Sequence, residues 1–127
     1  MNKETAVADL TNLMAKFTAY IGKRLPTDVT ARLGELREKE VNFLAKEVYE
    51  SMRANQEAAD KLDRPSCQDT GVIQYFLTAG ARFPLLGELE GILQGATAGA
   101  TKEGPLRHNA VETFEEKNTG TNTGSKI

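Results

Sequence analysis

The chain has 127 residues, about one domain's worth, and its sixteen Lys and Arg against eighteen Asp and Glu leave a formal net charge of −2. That balance lacks the positive field that neutralises phosphates, so no nucleic-acid partner is expected. No apolar run approaches the ~20 residues of a membrane-spanning helix and the polar start MNKETAVADL lacks the apolar centre of a secretory signal. The single cysteine cannot form an internal disulfide, which fits a reducing, cytosolic address.

From residue 5 to 23, Val7, Leu10, Met14, Phe17 and Ile21 recur at alternating steps of three and four, which predicts an amphipathic helix ended by Gly22 and Pro26. Thr27 or Asp28 is the expected cap of a second helix, with Val29, Leu33 and Leu36 as its stripe and Glu35 spaced to pair with Lys39. Val41, Leu44, Val48, Met52 and Asn55 continue the helical spacing towards Lys61. Burial of such faces in the chain's own core is the usual source of helix stability, so the stripes are expected to pack on each other; packing on another subunit is the alternative.

After Gly71 the run Val72-Ile73-Gln74-Tyr75-Phe76-Leu77 is rich in β-branched and aromatic residues and predicts a strand buried on both faces. Phe83-Pro84 makes a break, and Leu85, Leu86, Leu89, Ile92 and Leu93 predict a third helix, weakened by glycine in the tract from Gly95 to Ala100. The end, KNTGTNTGSKI from Lys117, has two NTG triplets and no apolar stripe, the composition of a flexible tail or of a loop that wraps around something. The expected class is therefore α+β and mostly helical: helices over 1–62, the chemistry-bearing motifs over 63–116 and a tail over 117–127. A lone strand leaves its backbone groups unpaired, so the chain reads as part of something larger.

The cysteine lies in Arg64-Pro65-Ser66-Cys67-Gln68-Asp69-Thr70-Gly71. A small buried thiol is the ordinary reading of a lone cysteine, but a carboxylate buried beside it needs a partner or a function. Asp69 by itself suits a helix cap or a turn. One Cys and one His fall short of a zinc site, and GTNTGSK has three residues between its glycines where a phosphate loop needs four. Cys67 activated by His108, with Asp69 or Asn109 orienting the ring, is a possible nucleophile. Arg107, beside Pro105, His108 and Asn109, is either a surface charge or a carboxylate clamp, since the guanidinium fork matches two carboxylate oxygens.

RPSCQDTG followed by a hydrophobic run, then RFPLLGELEGIL, PLRHNAVE and KNTGTNTG, resembles the amino-terminal part of the α domain of the class I iron-sulfur fumarase and tartrate dehydratase family. The fumarases tend to carry Pro after the arginine of the second motif, whereas Arg107-His108-Asn109-Ala110-Val111-Glu112 resembles the tartrate-dehydrating branch. The resemblance implies a [4Fe-4S] cluster held by three cysteines, with Cys67 matching the first and the open iron acting as a Lewis acid. It implies that Gln68 and Asp69 line the substrate pocket, Asp69 being a candidate for proton transfer, and that Arg107 grips a substrate carboxylate. The implied reaction is dehydration of L(+)-tartrate to oxaloacetate; hydration of fumarate to malate and a non-catalytic helical interaction module are the alternatives. In relatives the other two cluster cysteines lie beyond Ile127, and a β subunit completes an α2β2 assembly. This chain by itself is therefore expected to be truncated and inactive.

Overall fold

A computed structural model describes residues 2–66, 72–104 and 106–124. Among the described residues four helices form, α1 (Lys3–Lys23), α2 (Thr27–Lys39), α3 (Phe43–Leu62) and α4 (Leu89–Glu103), the last preceded by a 3₁₀ turn at Leu86–Glu88. The chain divides into two compact units, one made of Met1–Tyr20 and Asp69–Ile127, the other of Ile21–Gln68. Among the described residues no helix is long and apolar enough to cross a membrane.

In the first unit α1 starts at a side-chain cap: Asn2 Oδ1 accepts hydrogen bonds from the Thr5 amide at 2.7 Å and the Thr5 hydroxyl at 2.6 Å. The buried positions of α1 are Ala15, Thr18 and Ala19. They are not the expected Val7-Leu10-Met14-Phe17-Ile21 stripe, in which Phe17 stays 53% exposed. The reason lies on α4, whose buried face is Ile92, Ala96, Thr97, Ala100 and Thr101. A methyl group added at Gly95 would sit 3.1 Å from Thr11 Cγ2, and one at Gly99 would sit 3.2 Å from Ala15 Cβ. One at Gly104 would meet Ala19 Cβ at 2.9 Å and the Ala100 carbonyl at 2.8 Å. Thr11, Ala15 and Ala19 share one face of α1 at four-residue steps, so the two backbones approach through small residues and many close dispersion contacts form. The tract expected to weaken the helix is thus what seats it, and α4 runs on through it to Glu103.

The buried threonines of that interface are satisfied locally. Thr97 Oγ1 donates to the Leu93 carbonyl and Thr101 Oγ1 to the Thr97 carbonyl, both at 2.8 Å. Residues 72–80 run past without regular structure, and no strand forms among the described residues. The expected strand is corrected accordingly: no ladder partner pairs with it, and Val72 and Phe76 are 81% and 93% exposed, not buried on both faces. One side chain of the run is captured. The Tyr75 hydroxyl lies 2.9 Å from Thr18 Oγ1 and 3.2 Å from Thr97 Oγ1, which gives its polar tip two partners.

In the second unit the helical pattern expected to continue through Val41 is interrupted. Glu40 Oε1 accepts from the amides of Val41 and Asn42, and Asn42 Oδ1 then caps α3 through the amides of Leu44 at 2.9 Å and Ala45 at 3.2 Å. The start of α2 also differs from expectation, because Thr27 is its first helical residue and Pro26 precedes it without a side-chain cap. Glu35 pairs with Arg32 at 2.6 Å rather than with Lys39. α2 buries none of its residues and α3 buries Ala59. Arg37 of α2 pairs with Glu50 of α3, and Arg53 pairs with Glu50 and Glu57. The Arg53 hydrogen bond, with the Arg37 charge behind it, holds the Glu50 carboxyl below its ordinary range. α3 ends at Asp63, whose φ of 49° is left-handed, and the Arg64 amide bonds back to the Ala59 carbonyl at 2.9 Å.

Candidate active site

Of the residues singled out in the sequence, Cys67, Gln68 and Asp69 lie outside the described residues, as does Pro105. Lys23 and Arg24 brace the helix end that leads towards the cysteine motif, pairing with Asp63 at 3.0 Å and Asp60 at 3.1 Å. The same unit contains a cleft of about 330 Å³ with walls of Leu33, Tyr49 and Met52, and with Ser66 on its lining. Among the described residues no group of three or more His, Cys, Asp or Glu side chains is arranged to hold a metal ion.

Arg107 is an exposed loop residue. On one side Leu106, 9% exposed, packs with Ala19 and Ala100 and anchors the loop to the close-packed helices. On the other side the NTG repeat folds back along it. Val111 and Asn118 make an isolated antiparallel bridge, with the Thr119 amide donating to the Ala110 carbonyl at 2.9 Å and the Glu112 amide to the Lys117 carbonyl at 2.8 Å. Asn118 Nδ2 donates to the His108 carbonyl. Asn122 Nδ2 donates to the Arg107 carbonyl at 2.6 Å and to Thr101 Oγ1 at 3.1 Å, while its Oδ1 accepts from the amides of Asn109 at 2.7 Å and Ala110 at 3.4 Å.

The repeat that lacks an apolar stripe is therefore held by polar contacts, and its two asparagines reach the backbone of residues 107–110. This feature escaped the sequence reading. Its signal was the four-residue spacing of Asn118 and Asn122, each in an NTG triplet where glycine or asparagine can take positive φ; Gly120 and Asn122 do so, at 71° and 56°.

The family model described as fumarate hydratase (Fumerase) matches residues 11–127, almost the whole length and both motif-bearing segments. The chain belongs to the fumarate hydratase family. It is 51% identical over 126 residues to the L(+)-tartrate dehydratase subunit alpha of Escherichia coli K12, an alignment that covers 99% of this chain and 42% of that protein. The proteins of the same name from Shigella boydii and from Escherichia coli O157:H7 match at the same identity and coverage. The chain thus spans about two-fifths of the length of the curated relatives it matches. Within this fumarate hydratase family member, the described part of the candidate site is an exposed arginine on a backbone pinned from below by Leu106 and from the side by two asparagines.

Proposed function

We propose that the chain is part of an iron-sulfur-dependent hydro-lyase that removes water from L(+)-tartrate to give oxaloacetate. The observation that carries this reading is the 51% identity to an L(+)-tartrate dehydratase subunit alpha over 99% of the chain, a span that takes in both RPSCQDTG and PLRHNAVE. In this reading Arg107 grips one carboxylate of the diacid through its two-pronged guanidinium. Gln68 and Asp69 border the substrate, and Asp69 moves the proton that leaves carbon, a role worth on the order of 10²–10⁴ in rate. Cys67, as thiolate, is one ligand of a [4Fe-4S] cluster. When bound, that cluster supplies a Lewis-acidic iron that weakens the bond between carbon and the departing hydroxyl.

The donor set of this chain is one cysteine, which fits one of three thiolate positions. The remaining two, and a β subunit in an α2β2 assembly, belong to the rest of the enzyme, in keeping with the 42% of the relative that the chain covers. A cytoplasmic, reducing address suits such a cluster. A fumarase acting on fumarate and malate is the second reading, favoured by the description of the matching family model.

The test is to assemble the complete α and β subunits without oxygen and to assay L(+)-tartrate dehydration and fumarate hydration side by side. A brown complex that turns over tartrate faster is expected. Faster turnover of fumarate would support the second reading, and a colourless, inert complex would overturn both.

A further inference from the structure

We propose that Asn122 is the positioning residue for the substrate-gripping arginine, setting the backbone of Arg107 through its side-chain amide. The inference rests on the reading of Arg107 as a carboxylate clamp.

An asparagine side chain offers two N–H donors and an acceptor oxygen with two lone pairs. At Asn122 all of this capacity is directed to the Arg107 segment and the helix beside it: donors to the Arg107 carbonyl and Thr101 Oγ1, acceptor to the Asn109 and Ala110 amides. Thr101 is 1% exposed and belongs to the close-packed face of α4, so its hydroxyl is a fixed reference point. It also lies 3.2 Å from the Thr121 carbonyl, next to Asn122. The amide therefore ties an exposed loop to the close-packed face of α4. Asn122 holds a left-handed φ of 56°, a conformation that asparagine tolerates better than most residues and that aims its side chain back at residues 107–110.

Placement of the guanidinium follows from placement of its backbone, and a 1 Å displacement of a binding group costs on the order of 10²-fold in the assembled reaction. A clamp that holds the carboxylate equally in ground and transition states acts on KM more than on kcat.

Asn122→Gly removes the side chain and keeps the positive φ at no steric cost, so it separates the amide from the backbone conformation. In the assembled enzyme it is expected to raise KM for the diacid about tenfold, with kcat changed much less. It is also expected to speed hydrogen exchange at the Asn109 and Ala110 amides, a readout independent of turnover. In the Arg107→Lys background Asn122→Gly is expected to add less than its single effect, because both act on one contact. Should Asn122→Gly fail to fold, Asn122→Asp serves the same purpose: it sets a carboxylate oxygen against the Arg107 carbonyl and is likewise expected to raise KM. Unchanged KM in the Asn122 variants while Arg107→Lys raises it overturns this inference and leaves the clamp intact. Unchanged KM in Arg107→Lys overturns the clamp itself. A lower kcat with unchanged KM marks Asn122 as a fold-maintaining residue and also overturns the inference.

Discussion

Two helix pairs of similar length are built on opposite principles. α1 and α4 meet through Thr11, Ala15 and Ala19 against Gly95, Gly99 and Gly104, and their buried residues are alanine, threonine and one isoleucine. α2 and α3 are joined by the Arg37, Glu50 and Arg53 charges, bury a single alanine and leave Leu44, Val48 and Met52 at 72%, 58% and 42% exposure. The first pair gains from closeness, which is intolerant of added volume. The second gains little from ion pairs that stand in water. The candidate site follows this division, since the Arg107 loop is tied by Leu106 and Asn122 to the close-packed pair.

The largest effect that sharpens the contrast is expected at Gly104. A methyl group there meets backbone and Ala19 at under 3 Å, so Gly104→Ala is expected to cost about 1–3 kcal/mol in urea unfolding. In the second unit the caps matter more than packing: Asn42→Ala is expected to cost about 1 kcal/mol, read as a fall in thermal midpoint. Gly91, on α4 with nothing within 4 Å of an added methyl, marks where close packing stops. Gly91→Ala is expected to stabilise the chain by about 0.5–1 kcal/mol. The smallest effect concerns acid. With its pKa lowered by Arg53 and Arg37, Glu50 contributes stability that is whole above the unfolded carboxylate value and is lost as pH falls through the folded one. Glu50→Gln should therefore lower the neutral plateau slightly and leave the acid end unchanged, so that the profile rises less between them. If Gly104→Ala were neutral and Asn42→Ala severe, the contrast between the pairs would be reversed.

Much of this architecture was legible. Helical spacing placed all of the helical segments because a 3.6-residue repeat is a local property of the chain. Which face is buried was not, because the apolar stripe of α1 is outweighed by a neighbour that only small residues can approach. The break at Asn42 was missed where an apolar repeat runs on through a capping residue. The strand was misjudged because β propensity reports a suitable surface, and pairing needs a partner that residues 72–77 lack among the described residues. At the candidate site Arg107 was singled out by its chemistry, its neighbours and the family resemblance, while Asn118 and Asn122 were passed over because their contacts depend on a fold-back that no periodicity announces.

The central claim is that this segment supplies one thiolate and one carboxylate clamp to a cluster-dependent hydro-lyase. It is tested most directly by iron content and tartrate turnover of the assembled, anaerobically prepared enzyme carrying Cys67→Ala. Loss of bound iron together with loss of activity is the result predicted, and a Cys67→Ala enzyme with full iron and full turnover would contradict it.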